Sequence, residues 1–321
     1  MLDKKDKILF EYLMQDCRIS ISKLSKITRL TKPTVLYRIN RLEENNFIVK
    51  YDAILNYNIL PYKPNFYFIS VKSDLELEFL DEIKKLEDVE TLNKLYHYKN
   101  YFVSAIFKTK LQKKKFFRTL KKYDVNIIEY EFEKIEFIDY KIYDDIFVDI
   151  NTIKIIDDKI KFKHIKLDDI DLLLLEKLSN GYAKYSILNL SLLLDVNYHT
   201  LLYKFKRLVK NGYFLKFVAQ PNSDLTQNDI ILLKFKDVNM KDIVNKLNQI
   251  KTIPYLIKLN YNNYFIQILS VSFEDYKKTL GKIVALFEKE LINFEAFNLD
   301  KTIILNQYPF DYLRKSKKIY K

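Results

Sequence analysis

The N-terminal part of the chain shows apolar side chains at helical spacing in three successive segments. Asp3, Ser20 and Thr31 each precede one segment, and all three are residue types that cap helix N-termini. The third segment has Pro33 in its first turn, where a missing backbone N–H is tolerated. Its predicted buried face consists of Val35, Leu36, Ile39 and Leu42. A short second helix followed by a tight turn and a longer third helix predicts a helix-turn-helix, and the alternating strand pattern at 47–55 predicts its wing.

The next stretch, residues 65–140, alternates between strand and helix patterns. Strands are predicted over 65–73, 89–98, 101–109 and 127–140. Amphipathic helices are predicted over 76–86 and 113–123. The resulting order, βαββαβ, is the ferredoxin-like arrangement.

The same two-part pattern occurs again in the second half of the chain. Matching pairs include Asp3 with Asp168, Asp6 with Asp171, Thr34 with Thr200, Tyr37 with Tyr203, and Arg41 with Arg207. The period is far longer than that of solenoid repeats, so the pattern indicates a domain duplication. We therefore predict an α+β fold in which a winged helix-turn-helix and a ferredoxin-like βαββαβ domain occur as a pair, twice in one chain. The predicted boundaries are 1–60 and 61–140 for the first copy, 141–166 for a linker with a hairpin, 167–222 and 223–313 for the second copy, and 314–321 for a basic tail.

The composition of the chain mainly excludes certain classes of protein. The three glycines, Gly181, Gly212 and Gly281, are too far apart for a glycine-rich phosphate loop. We therefore predict no nucleotide-dependent enzyme of the common types and no cofactor. Cys17 is the single cysteine, which excludes a disulfide within the chain and suits a reducing compartment. Because neither a signal peptide nor a membrane-spanning run is evident, we predict a cytoplasmic protein with no membrane partner.

The distribution of charge points to a polyanionic partner. The net charge is +13, with a pI of about 9.3. Between Arg29 and Arg41 there are four positive charges and no acid, and residues 198–216 hold five Lys or Arg and no acid. An ordinary solvated helix mixes signs to gain i,i+4 pairs. The third helix of each copy is therefore predicted to face double-stranded DNA.

Two stretches of the first copy carry a family resemblance. "LDKKDKILFEYLMQDCRIS" occupies residues 2–20, and "RINRLEENNFIVKYDAIL" occupies residues 38–55. With the βαββαβ order that follows, they resemble the Lrp/AsnC, or feast/famine, transcriptional regulators, here in tandem duplication. The resemblance implies a regulator that binds double-stranded DNA sequence-specifically, with two winged helix-turn-helix modules per chain.

One departure from the family concerns its effector site. Family members often carry a Gly-x-Tyr-Asp-like signature before the third strand of the effector domain, where it forms part of an amino-acid site. Here Lys99 or Asn262 replaces the glycine, and Phe102 or Phe265 replaces the aspartate. Without that glycine the backbone cannot approach a ligand as closely. A different small-molecule effector, or none, is therefore open.

DNA contacts are predicted from the outward face of each third helix and from the first wing. The predicted DNA-binding residues are Lys32, Pro33, Thr34, Tyr37, Arg38, Arg41, Lys50, Tyr198, His199, Thr200, Tyr203, Lys204, Lys206, Arg207 and Lys210. At the front of the third helix of the first copy, base edges are expected to be met by Lys32, Pro33, Thr34 and Tyr37, whereas Arg38, Arg41 and Lys50 suit phosphates. For Tyr37 and Tyr203, packing against the second helix is an equally open alternative.

Two modules on one chain predict a built-in pseudo-dimer that reads two unlike half-sites, with the βαββαβ halves pairing inside the chain. Further self-association through these sheets stays open. Two other functions fit the same architecture: a siroheme decarboxylase, with His97 as its candidate active-site residue, and a DNA-compacting protein without sequence preference. One cysteine and three scattered histidines indicate no metal site. We predict no catalytic residues and no enzyme.

Overall fold

Helices and strands follow one another largely in the predicted order. The structure, a computed structural model, describes residues 2–123, 125–137, 164–222, 227–250, 252–253, 255–270, 272–305, 308–310 and 313. The helices are α1 (Lys4–Gln15), α2 (Ile21–Thr28), α3 (Lys32–Glu44), α4 (Glu76–Ile83), α5 (Lys110–Leu120), α6 (Asp169–Leu178), α7 (Ile187–Leu194), α8 (Tyr198–Lys210), α9 (Met240–Leu247) and α10 (Phe273–Leu286). The strands are β1 (Ile48–Leu55), β2 (Pro64–Ser70), β3 (Val89–Leu95), β4 (Tyr101–Ile106), β5 (Asn126–Phe137), β6 (Phe214–Pro221), β7 (Gln227–Phe235), β8 (Tyr255–Leu259), β9 (Asn263–Ser270) and β10 (Leu291–Leu305). The predicted linker hairpin, up to residue 163, and the basic tail 314–321 lie outside the described residues.

The chain divides into two units that each contain one half of both copies. One unit comprises the described residues within Met1–Ile59, Asp139–Thr226 and Pro309–Lys321, and the other those within Leu60–Ile138 and Gln227–Tyr308. The first unit holds two groups of three helices and one strand: the first module is α1 to α3 with β1, and the second module is α6 to α8 with β6. The second unit holds both βαββαβ halves.

In the first unit the two modules are joined by their strands. Antiparallel pairing of β1 with β6 makes a two-stranded sheet, so the predicted wing strand is present but pairs with its counterpart from the other copy. Two matching hydrogen bonds flank this sheet: Cys17 N–H donates to the Phe217 carbonyl at 2.7 Å, and Ala183 N–H donates to the Tyr51 carbonyl at 3.0 Å. Because the duplicated positions exchange equivalent bonds, the modules form an internal pseudo-twofold pair.

In the second unit the eight strands close into one barrel. Their order is β10-β3-β4-β2-β5-β8-β9-β7, and the paired strands are antiparallel. Each half has the predicted βαββαβ order of elements. The halves are joined where β5 pairs with β8 and where β10 pairs with β3. Each edge strand of one half is thus paired with the other half, which satisfies backbone groups that an open edge would expose.

The two faces of the barrel wall have different roles, because side chains alternate along a strand. On the outer face, Tyr67, Leu92 and Val103 pack with the α4 and α5 side chains Phe79 and Phe116, all nearly inaccessible to solvent. A corresponding cluster places α9 and α10 on the other half. The alternate positions of β2 and its neighbours face the barrel interior and are largely aromatic.

The predicted caps are confirmed, and one predicted core position is wrong. The side chains of Asp3, Ser20 and Thr31 each accept a hydrogen bond from a backbone N–H in the first turn of their helix. Leu36 belongs to the predicted buried stripe of α3 but remains 47% exposed, whereas Val35 is fully buried. Among the described residues, no helix is both long and apolar enough to cross a membrane.

Candidate nucleic-acid interface

In the first module, α3 is held on α1 by a cluster of carboxylates and guanidinium groups. Asp3 and Asp6 form a capping box at the start of α1, in which the Asp3 side chain accepts from the Asp6 N–H at 2.8 Å. Arg38 on α3 donates to Asp3 at 2.5 Å and to Asp6 at 2.7 Å. Arg41, one turn later, donates to the other oxygen of Asp6. Since Asp6 is completely buried, these cations compensate a charge that would otherwise lack solvation.

The second module repeats this cluster with one substitution. Asp168 and Asp171 form the capping box of α6. Lys204 pairs with both carboxylates, and Arg207 pairs with Asp171, which is completely buried. Lys204 stands where the first module has Arg38. Because an ammonium is a point donor whereas a guanidinium is a fork, the repeat keeps the charge pairing and changes its geometry.

Electrostatics in these clusters favour the ionised form of the two capping carboxylates, Asp3 and Asp168. The hydrogen bond from Arg38 is the main reason that the pKa of Asp3 is lowered to about 2. Burial raises the pKa of Asp168, but hydrogen bonds from Lys204 and from the Asp171 backbone outweigh it and hold the value at about 2. For Asp171, burial dominates and raises the pKa.

Four predicted DNA-binding residues therefore have partners within the protein. They are Arg38, Arg41, Lys204 and Arg207. Lys204 is buried, contrary to its expected position on an exposed face. Lys50 also has an intramolecular partner, at 2.8 Å from Asp52 on the same strand. A DNA contact by any of these five side chains stays a prediction. The ion pairs of the first four hold the third helix of each module on the first helix.

The remaining predicted residues form the outward side of the third helices. In the first module Lys32, Pro33 and Tyr37 are exposed. Thr34 is half-buried, and its hydroxyl lies 2.8 Å from that of the capping residue Thr31. In the second module the exposed members are Tyr198, His199, Thr200, Tyr203 and Lys210, while Lys206 is half-buried.

The open question about the two tyrosines is answered by their exposure. Tyr37 is 64% exposed and Tyr203 is 63% exposed, so neither ring is buried against the second helix of its module. An exposed aromatic ring on the outward face of a recognition helix suits contact with a base edge or a thymine methyl group.

Two exposed cations were missed from the sequence. Lys26 lies in the last turn of α2, and Arg29 is the left-handed residue (φ 55°) that ends this helix. Both lie close in sequence to Lys32, the first residue of α3. The available signal was their position in the turn of the predicted helix-turn-helix, which comes close to the DNA backbone when the third helix enters the major groove.

The positions of the altered effector signature lie inside the barrel. Phe102 and Phe265 occupy equivalent places in the two halves, and their rings stack with centroids 5.5 Å apart. Phe66 stacks on both, at 5.8 and 5.4 Å. Where family members often carry aspartates, this chain therefore has a packed aromatic cluster.

Near this cluster, Lys99 and His97 make contacts that have no charged equivalent at the matching positions of the second half. Lys99 is buried, and its ammonium lies 3.1 Å from Glu295 and 5.7 Å from the Phe297 ring centre. The His97 ring lies 4.6 Å from the Phe297 ring, and partial burial lowers the pKa of this histidine. The positions matching His97 and Lys99 are Asn260 and Asn262.

The remaining reactive groups do not form a further site. No group of three His, Cys, Asp or Glu side chains within the described ranges is arranged to hold a metal ion. Cys17 is buried, and burial raises the pKa of its thiol, which disfavours the reactive thiolate.

Comparison with known proteins most directly supports the winged helix-turn-helix prediction for the first module. A family model described as winged helix-turn-helix DNA-binding matches residues 2–49. The HTH-type transcriptional regulator FL11 of Pyrococcus furiosus is 34% identical over 94 residues, which are 28% of this chain and 60% of FL11. The HTH-type transcriptional regulator LrpA of Pyrococcus abyssi is 30% identical over 98 residues, 30% of this chain and 67% of LrpA. The chain thus spans about three fifths to two thirds of the length of these relatives.

Similarity over the whole length is found at the level of the fold. The crystal structure of the siroheme decarboxylase NirDL superposes with a TM-score of 0.55 and 11% sequence identity, covering 97% of each chain. Its complex with an iron-uroporphyrin III analogue superposes with a TM-score of 0.54 and 11% identity, covering 95% of this chain and 93% of that one. At this identity the likeness establishes a shared fold and no shared chemistry.

Proposed function

The chain belongs to the Lrp/AsnC family, and from that premise we propose that it is a sequence-specific transcriptional regulator that binds double-stranded DNA through its winged helix-turn-helix unit. The observation that carries the proposal is the outward side of the first module, where Lys26, Arg29, Lys32 and Tyr37 are all exposed. The underside of α3 is fixed by Val35 and Ile39, which are buried. A rigid helix with a cationic, aromatic front is suited to the major groove.

In this proposal the protein contacts DNA in two ways. Lys26 and Arg29 meet phosphates and set the register, and in this proposal Lys32 joins them instead of meeting a base edge as expected from the sequence. Thr34 and Tyr37 read base edges. The strand pairing of β1 with β6 supports a fixed pair of modules within one chain. We assign each βαββαβ half to the ferredoxin-like type and take the predicted copy boundaries as the units of duplication. Strand orders of β3-β4-β2-β5 and β8-β9-β7-β10 support that assignment.

The barrel in this proposal is an assembly element that works without an amino acid at the altered signature. Its interior is occupied there by Phe66, Phe102 and Phe265. A ligand carboxylate or ammonium at that place would have to displace stacked rings and lose their burial.

Selection of bound sequences from random duplex DNA at physiological salt tests the function. A sequence-specific regulator enriches a defined motif, with affinity that falls steeply as salt rises. Binding without an enriched motif contradicts sequence-specific reading and favours a DNA-compacting protein. Absence of duplex binding contradicts the proposal as a whole.

The fold similarity to NirDL and the half-buried His97 favour a second candidate, a siroheme decarboxylase. An absorbance titration of the protein with an iron tetrapyrrole separates the two candidates. Under our proposal the tetrapyrrole spectrum does not change with protein concentration. A saturable spectral shift that is lost in His97→Ala would support the enzyme instead.

A further inference from the structure

The two modules differ at three exposed positions around their helix-turn-helix turns. In the first module these are Lys26, Arg29 and Lys32, and in the second they are Leu192, Asp195 and Tyr198. The correspondence is fixed by geometry. Arg29 and Asp195 each end the second helix in the left-handed conformation, at φ 55° and 50°, and Thr31 and Asn197 each cap the third helix.

The two sets of residues differ in net charge. Three cations give the first set a charge of +3, and one aspartate gives the second set a charge of −1, so equivalent surfaces differ by four units. In a helix-turn-helix the second helix crosses the DNA backbone beside the groove that the third helix enters. The first set would neutralise phosphates there, whereas Asp195 would repel them.

The cations of α8 do not remove this difference. Lys204 and Arg207 are occupied by Asp168 and Asp171. Lys206 is half-buried, and Lys210 lies at the last residue of α8, away from the helix start that meets base edges.

The surface of α7 is also unsuited to DNA binding because it exposes apolar side chains. Leu188 is 55% exposed and Leu192 is 75% exposed, and they stand where the first module has Ser22 and Lys26. Seating this helix beside the DNA backbone would place two leucines against a hydrated, charged surface without forming a hydrogen bond.

We propose that only the first module holds DNA, so that each chain engages one half-site and an operator with two half-sites takes two chains. This inference rests on the proposed function and deepens it. The second module then serves as a structural partner. It positions the first through the β1–β6 sheet and the paired bonds at Cys17 and Ala183.

An exchange of the three residues between modules tests the proposal with matched variants. K26L/R29D/K32Y gives the first module the second module's residues, and L192K/D195R/Y198K does the reverse. Each new residue already occurs at the equivalent position of the same chain, and all six positions are exposed. Circular dichroism melting checks that both variants fold. Fluorescence anisotropy with the selected duplex then gives affinity as a function of salt, and hydroxyl-radical footprinting gives the length protected.

The expected results differ in direction. K26L/R29D/K32Y lowers affinity by roughly 10²-fold or more near 0.1 M salt and reduces the salt slope by about 2.7, at about 0.9 per lost phosphate contact. L192K/D195R/Y198K raises affinity and extends the footprint by about one helical turn, roughly 10 base pairs. As a control, K206S/K210S in the second module changes affinity by less than about threefold, as for rim charges far from the contact.

The outcomes distinguish a failure of the proposed function from a failure of this inference alone. If the wild-type chain binds no duplex, the proposed function fails, and this inference fails with it. If the wild type binds and K206S/K210S weakens binding as strongly as K26L/R29D/K32Y, the chain is a regulator that uses both modules, and only the inference is overturned. An unchanged affinity for K26L/R29D/K32Y also overturns it.

Discussion

In the first helix-turn-helix module Arg38 and Arg41 hold the buried Asp6, and in the second module Lys204 and Arg207 hold the buried Asp171. At these interior positions the duplicated modules keep the same arrangement of charges. Their outer surfaces around the turn have diverged, from three cations to a leucine, an aspartate and a tyrosine. The interior charges are constrained by burial, since either module would be destabilised by losing a partner of its aspartate. Exposed positions carry no such constraint and are free to follow function.

The largest expected effect on stability comes from breaking the ion pairs that both modules share. Arg38→Glu places a third carboxylate beside Asp3 and Asp6, and Lys204→Glu does the same beside Asp168 and Asp171. Each change is expected to destabilise its module by about 3–5 kcal/mol, the usual cost of breaking a buried ion pair. Urea unfolding followed by circular dichroism measures it.

The matched control for that experiment is Lys32→Glu or Lys210→Glu, both at exposed positions, with an expected change within about 0.5 kcal/mol. From the sequence, Arg38 and Lys204 look like residues whose charge reversal would test DNA contact without disturbing the fold. Because both side chains form ion pairs within the protein, these two charge reversals test folding instead. Equal stability of Arg38→Glu and Lys32→Glu would contradict the interior role.

The second prediction asks whether the barrel interior is also a duplicated feature. Phe102→Ala and Phe265→Ala each remove one of two stacked rings in equivalent positions. Each is expected to lower the free energy of unfolding by about 3–5 kcal/mol. The double variant is expected to cost less than the sum by about 0.5–1.5 kcal/mol, because the ring pair is lost only once. Strict additivity in denaturant unfolding would argue against a direct contact.

A third prediction concerns an interior position where the modules differ. Asp16 in the first module is buried and accepts a hydrogen bond from the Arg18 backbone N–H at 2.8 Å, and its counterpart in the second module is Tyr182. Burial is the main cause that raises the pKa of Asp16 to about 7. Its contribution to stability is therefore fully present below the unfolded-state pKa of about 4 and is lost as the pH rises through about 7.

Asp16→Asn is expected to remove this dependence, because the amide keeps an acceptor oxygen and does not ionise. The variant should be more stable than the wild type above pH 7, by on the order of 1.4 kcal/mol per unit of pKa shift. Thermal melting between pH 4 and pH 8 gives the two curves. Parallel curves for the wild type and the variant would show that another group is responsible.

The smallest effect is expected at the diverged surface. Leu192→Lys and Leu188→Ser restore first-module residues at exposed positions and should change the free energy of unfolding by no more than about 0.5 kcal/mol. Denaturant titration against the wild type measures this difference. A larger loss would show that the two leucines support the fold, which would weaken the argument that α7 has only lost a DNA-facing surface.

Several features were predictable from the sequence because they depend on local patterns. The caps at Asp3, Ser20 and Thr31 follow from residue type and position. The duplication follows from residues matching in order along the two halves. The exposure of Leu36 was not predictable, because an apolar residue near the edge of a helical stripe is buried only when a neighbouring element reaches it.

The partners of the charged residues could not be predicted, although the aspartates were visible. Asp3 and Asp6 lie more than 30 residues from Arg38 and Arg41, and an absence of acids within α3 looked like a free cationic face. The matching aspartates of the second copy were the one available signal. Helix packing decides whether such distant charges meet, and it brings Asp6 into contact with both arginines.

By itself, the sequence determined the kinds of elements, their order, their duplication and the excess of positive charge, because each is written in neighbouring or periodic residues. Tertiary structure alone decided that β1 pairs with β6, that eight strands close into a barrel, and which cations stay exposed. Those outcomes depend on contacts between residues far apart in the chain, where burial sets the free energy of a charge or a backbone group. A lysine or arginine is available for DNA contact only when it is not already paired with a buried carboxylate of the same chain.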